Sequence, residues 1–159
     1  MKDDAASLYL ENQLCFPLYA ASRLTTKVYG PYLDKMDLTY PQYLVLLVLW
    51  QYQTLSVKEI GQRLYLESNT LTPLLKRLEQ KGLIQRKRSA EDERTVNISL
   101  SKAGKSLREE ALSIPQKITS SFQDNAMQEE DLVEFQKTLF GLVDILAKKT
   151  LSIKDLKVK

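Results

Sequence analysis

The chain contains one cysteine, Cys15, in the run Leu14-Cys15-Phe16-Pro17-Leu18-Tyr19, and no histidine. A lone thiol makes no internal disulfide. Without imidazole the chain lacks the group on which hydrolytic triads, most zinc sites and much proton-shuttling chemistry rely. What remains at Cys15 is oxidation chemistry or none. The commonest fate of a free cysteine is that of a small buried hydrophobe. Against it stands Pro17, best tolerated in a first helical turn, so that a helix begins close to Cys15. A thiol there meets the partial positive charge of the helix start, which favours thiolate. A second group has the chemistry of phosphate and base-edge recognition: Ser68, Asn69, Thr70 and Thr72, then Lys76 and Arg77, then Arg86, Lys87, Arg88, Asp92 and Arg94. No metal-ligand spacing or cofactor motif occurs, so neither a metal nor a cofactor is expected.

These groups need elements to hold them. Thr39-Tyr40-Pro41-Gln42 and Ser56-Val57-Lys58-Glu59 are capping boxes. The first opens an apolar helix to about Tyr52; the second opens a short helix to about Leu64, with Val57, Ile60, Gly61 and Leu64 on one face. A third helix starts near Ser68 to Thr70, presents Leu71, Leu74, Leu75 and Leu78, and stops at Gly82; Pro73 belongs in or near its first turn. The period then changes. Residues 83–88 and 95–100, the latter alternating Val96, Ile98 and Leu100, read as a hairpin with a charged tip at 89–94. Ser101 caps a further long helix that Pro115 kinks, and a last helix begins near Gln128 with Leu132, Phe135, Leu139, Leu142, Val143 and Leu146 on its apolar face.

Charge follows the same division. Residues 56–100 carry 9 basic and 6 acidic side chains, against 4 and 5 in 1–55 and 5 and 8 in 101–146. A basic middle between neutral or acidic ends suits a nucleic-acid-binding module. Two short helices across a tight turn, followed by a basic hairpin, make a winged helix-turn-helix whose second helix enters a major groove. The expected fold is therefore mainly α with a small β-wing. Residues 39–100 form the DNA-binding domain, 1–38 an N-terminal dimerisation and sensor helix, and 101–159 C-terminal dimerisation helices. The terminal helices offer apolar faces that one winged helix cannot cover, and a palindromic operator on double-stranded DNA suits a two-fold protein.

The stretch from Leu66 to Ile84 resembles the recognition helix of the MarR family; Asp92-Glu93-Arg94 is similar to that family's Asp-x-Arg wing motif, and Leu100-Ser101-Lys102-Ala103-Gly104 to the segment after the wing. The resemblance covers residues 9–150. It implies a homodimer with interlocked terminal helices, Asp92 bracing the wing and Arg94 reaching the minor groove. Around Cys15, Tyr19, Tyr29 and Tyr40 the chain resembles the organic-hydroperoxide-sensing, OhrR-type branch, in which a lone N-terminal cysteine is the sensor. There, hydroxyls corresponding to Tyr29 and Tyr40 hydrogen-bond the cysteine across the dimer interface. The resemblance implies a repressor released from its operator when organic hydroperoxide oxidises Cys15.

Another outcome stays open in the sequence: a MarR-type regulator answering a small phenolic ligand or a different oxidant, with Cys15 not the organic-peroxide sensor. A thiol peroxidase is disfavoured, since there is no resolving cysteine and no thioredoxin-like βαβ pattern. No enzyme is expected. Nor is a membrane partner: the longest apolar run, 44–50, is too short to span a bilayer, and the Lys-rich tail 148–159 lacks aromatic anchors. No signal-peptide pattern opens the chain, and the cytoplasm is the expected compartment.

Overall fold

The computed structural model describes residues 4–90, 92, 94–123 and 128–157. It divides into two compact units, Met1–Leu112 and Ser113–Lys159. In the first, two 3-10 turns, Asp4–Leu8 and Leu10–Asn12, lead into α1 (Cys15–Leu33) and a third 3-10 turn, Asp34–Met36. Then come α2 (Tyr40–Tyr52), β1 (Thr54–Ser56), α3 (Val57–Leu64), α4 (Ser68–Gln80), β2 (Ile84–Arg88), β3 (Val96–Leu100) and α5 (Lys102–Ala111). The second unit holds α6 (Ile114–Gln123) and α7 (Glu129–Lys157).

Local chemistry explains most boundaries. Helix α1 begins at Cys15, which puts Pro17 in its first turn. At α2 the Thr39 amide donates to Gln42 Oε1 at 3.0 Å. At α3 the reciprocal box is complete: Ser56 N–H donates to Glu59 Oε2 (2.8 Å) and Glu59 N–H to Ser56 Oγ (3.2 Å). The Ser56 bonds hold the Glu59 carboxyl below its usual range. Just past the Lys81 cap of helix α4, Gly82 has a φ of 70°, the left-handed conformation that glycine adopts without strain. Leu83 N–H then reaches back to Leu78 O at 3.0 Å, closing a Schellman motif. Leu71, Leu75 and Leu78 form the buried face of α4 and meet α2, α3 and the sheet. Burying each is worth about 1.5–3 kcal/mol.

Three expectations need correction. The hairpin of β2 and β3 is present, but β1 adds a third antiparallel strand in the order β1-β3-β2, with Leu55 opposite Ile98. Ser101 does cap α5, accepting from Gly104 N–H at 3.0 Å, yet the helix is not kinked at Pro115. It stops at Ala111, and Pro115 becomes the second residue of α6. A proline ring clashes with the carbonyl four residues back, here that of Ala111, so the chain leaves the helix where that clash would begin. Pro73 lies deeper than expected, as the sixth residue of α4. Its missing N–H deprives Asn69 of a helical partner, and Asn69 is exposed, so water can take the carbonyl.

Apolar exposure gathers at the two ends of the chain. Leu8, Leu10, Leu14, Tyr19 and Leu24 are exposed in the first segment, and Val133, Phe135, Phe140, Ile145 and Leu146 on α7. No helix among the described residues is long and apolar enough to cross a membrane.

Candidate nucleic-acid interface and cysteine site

The start of α4 carries the small polar groups. Ser68, Asn69 and Thr70 are exposed, with Thr70 Oγ1 donating to Asn69 Oδ1 at 3.3 Å. Thr72 is half-buried and its hydroxyl donates to Ser68 O at 2.6 Å, which leaves its oxygen lone pairs and methyl for a partner. Lys76 and Arg77 are exposed one turn further on. The turn before α4 is tight. A Cβ on Gly61 would lie 2.7 Å from Leu66 O, and Tyr65 takes a positive φ of 54° to close α3.

On the wing the side chains divide by strand face. Ile84, Arg86 and Arg88 alternate on the face whose cross-strand partners are Leu100, Ile98 and Val96, while Gln85 and Lys87 face outward opposite Ser99 and Asn97. Arg86 therefore does not project like its neighbours. It is half-buried, pairs with Glu79 of α4 at 3.7 Å, and its Nε is buried without a hydrogen-bond partner among the described residues. It lies on the wing as expected, but the inward face of β2 aims it at α4. Arg88 sits beyond the core edge and is exposed, as are Lys87 and Arg94. At the tip Asp92 accepts from Arg94 N–H and from the Thr95 hydroxyl, both at 3.0 Å, and Thr95 N–H closes on Asp92 O at 2.9 Å. Glu91 and Glu93 lie outside the described residues.

The wing is fastened at its base. Ser101 N–H donates to Leu83 O (3.0 Å), Ser101 Oγ to Gly82 O (2.5 Å), and the buried Trp50 indole N–H to Gly104 O (2.8 Å). The Glu79–Arg86 pair does not stand out from sequence, since a Glu–Arg pair across a turn has no local signature; Gly104 lies in the segment after the wing, but its contact with Trp50 is not legible there.

Cys15 is free and exposed as the first residue of α1. Tyr19, one turn later, is exposed and accepts from Arg23 Nη1 at 3.3 Å. Tyr29 and Tyr40 meet with ring centroids 4.8 Å apart, and Tyr43 lies 6.0 Å from Tyr29. Burial, then the Tyr40 and Tyr43 phenols, push Tyr29 up to about 12, and burial also raises Tyr40. Both keep a proton to donate at neutral pH. Tyr29 comes fourteen residues after Cys15 on one helix, about 21 Å along its axis. Cys15 with Tyr19 and Tyr29 with Tyr40 thus stand at opposite ends of α1 within one chain.

Comparison with known proteins decides the family. Residues 27–111 match the sequence family described as transcriptional regulator SarA/Rot. The organic hydroperoxide resistance transcriptional regulator of Bacillus subtilis is 52% identical over 149 residues, covering 94% of this chain and 99% of that one. The chain belongs to the MarR family of winged-helix transcription regulators, in its OhrR-type branch. The family is one of regulators, not enzymes. Among solved structures, reduced AbfR bound to DNA is 36% identical to this OhrR-type chain with a TM-score of 0.70, covering 95% of this chain and 99% of that one. AbfR of Staphylococcus epidermidis has also been solved in an overoxidised, DNA-bound state and in a disulfide form. The MepR–DNA complex of S. aureus is 26% identical, with a TM-score of 0.75 over 84% of this chain and 98% of that one.

Proposed function

We propose that this regulator is a cytoplasmic homodimeric repressor that binds a palindromic operator and releases it when organic hydroperoxide oxidises Cys15. The observation that carries the reading is the separation along α1. An exposed thiol and a pair of proton-bearing phenols, about 21 Å apart in one chain, meet if two chains pack α1 antiparallel, Cys15 of one beside Tyr29 and Tyr40 of the other. The exposed apolar residues of the 3-10 turns and α1 supply surface that such a pairing buries.

The chemistry follows. The Cys15 thiolate attacks one peroxide oxygen; an S–O bond forms, the O–O bond breaks, and the departing alkoxide takes a proton to leave as alcohol. Sulfur is oxidised by two electrons to sulfenic acid and the hydroperoxide is reduced. Phenol hydrogen bonds to the thiolate are lost when the sulfur gains oxygen, and Phe16 and Leu18 favour an organic over an inorganic peroxide. The DNA-reading set is Ser68, Asn69, Thr70 and Thr72 at the start of α4, Lys76 and Arg77 behind it, and Arg88 and Arg94 on the wing, with Asp92 shaping the tip and Arg86 holding the wing to α4. A small change in the spacing of two lobes prevents simultaneous docking at both half-sites.

The test is release by cumene hydroperoxide of Cys15→Ser and wild-type protein from a duplex located by footprinting upstream of its own gene. Wild type is expected to leave and Cys15→Ser to stay. Equal release of both would refute Cys15 as sensor and favour a regulator of a different ligand or oxidant.

A further inference from the structure

Two helix C-termini, 44 residues apart in sequence, are tied by one cation. Lys81, the residue that ends α4, places Nζ 2.8 Å from Asp37 Oδ2 and also donates to the Asp37 backbone carbonyl. Asp37 ends the 3-10 turn that continues α1. Its backbone is left-handed (φ 51°, ψ 45°), and Leu38 N–H reaches back to Leu33 O at 3.0 Å. That geometry fixes the direction of the Asp37 carbonyl, and Leu33, Met36 and Leu38 around it are buried. Lys81 therefore satisfies a carboxylate and a free carbonyl at the end of one helix while ending another, a position where the helix dipoles favour a cation. Its side chain is 28% exposed and that of Asp37 90% exposed. A pair so open to water adds little to stability. Its consequence is geometric.

We infer that Lys81 and Asp37 are positioning residues that carry movement of the cysteine-bearing helix to the DNA-reading helix. Helix α1 runs unbroken from Cys15 to Leu33. A displacement at its cysteine end moves the turn at its far end as a rod, and the Lys81 tie passes that movement to the exit of α4. The inference rests on the proposed oxidation of Cys15. Without the tie, α4 keeps its seat through Leu71, Leu75 and Leu78, so reduced protein still reads DNA. What weakens is the penalty that oxidation imposes on binding.

The test compares full-length wild type, Lys81→Met (which keeps the apolar stem), Asp37→Asn (asparagine tolerates the left-handed turn) and the exchanged pair Asp37→Lys/Lys81→Asp. Dissociation constants for an operator duplex are measured before and after one equivalent of cumene hydroperoxide, with sulfenic acid at Cys15 counted by mass spectrometry. Both single variants are expected to bind within about threefold of wild type when reduced and to oxidise equally. Their loss of affinity on oxidation shrinks by about two- to fivefold, the low end for residues that modulate coupling between sites, as suits a pair so open to water. The exchanged pair recovers part of it. If wild type leaves DNA and the single variants leave to the same extent, the tie transmits nothing and the inference falls alone. If wild type stays on DNA after oxidation, the reading of Cys15 falls and this one with it.

Discussion

Gly104→Ala sets two effects of opposite sign against each other. In helix α5 alanine is worth up to about 1 kcal/mol over glycine, from backbone entropy alone. The structure opposes this. A Cβ at Gly104 would stand 2.0 Å from Leu83 O, 3.0 Å from Leu83 C and 3.2 Å from Leu100 Cδ2. Backbone cannot rotate aside like a side-chain tip, so α5 must move by about an ångström to restore ordinary contact. Overpacking of this kind costs about 1–3 kcal/mol. The same shift draws Gly104 O from the buried Trp50 indole, and leaving that N–H unpaired costs a further 1–3 kcal/mol or so. Allowing for the helix gain, the net destabilisation is about 1–5 kcal/mol, a large share of the ~5–15 kcal/mol that a folded domain has. The assay is urea unfolding at fixed protein concentration, read as a lower midpoint with unchanged slope. A thermal midpoint lower by roughly 5–15 °C should accompany it. The Ser101 bonds to Gly82 and Leu83 share this seam, so DNA affinity should fall too, as the wing loosens from α4. A Gly104→Ala protein as stable as wild type would refute the steric argument outright.

Arg94→Ala should weaken duplex binding by about tenfold and reduce the slope of log K against log salt by about 1, with no loss of thermal stability, because its side chain is exposed; fluorescence anisotropy over a salt series reads both quantities. Tyr29→Phe should remove a fall in stability that wild type shows on the alkaline side. The folded phenol titrates near 12 against about 10 unfolded, so its contribution is complete below pH 10 and is lost as pH rises from 10 toward 12. Urea midpoints at pH 9, 10 and 11 should therefore decline more steeply in wild type than in the variant.

What was legible in the sequence was mostly local. Capping boxes work through residues three apart, so Thr39 with Gln42 and Ser56 with Glu59 announced α2 and α3 without tertiary knowledge. The alternation of Val96, Ile98 and Leu100 announced β3, since one face of it is core. The three residues of β1 carry no pattern of their own and become a strand only because β3 offers a free edge 40-odd positions later. The placement of Arg86 was hidden for a related reason. Four basic residues on a hairpin look alike in sequence, and only the register that sets Arg86 opposite Ile98 turns it inward to Glu79. Pro115 reads as a kink in one long helix where a second helix starts instead, because a proline in a helical pattern signals a kink or a fresh start alike.

The candidate sensor shows the same limit more sharply. Cys15, Tyr29 and Tyr40 are each visible as residue types, and the resemblance grouped them, yet no single chain can assemble them. A straight helix of this length holds its ends about 28 Å apart, and Tyr40 is fixed by its ring contact to the Tyr29 end. Either the thiol and the phenols act separately, or a second α1 runs past the first in the opposite sense and completes each site at the other's expense. The second arrangement yields two equivalent sites per pair, buries the apolar residues that flank Cys15, and makes every oxidation an event at the seam between subunits. A thiol placed on such a seam bears on the spacing of two reading helices at once. The same thiol on a solvent-facing helix would change nothing but itself.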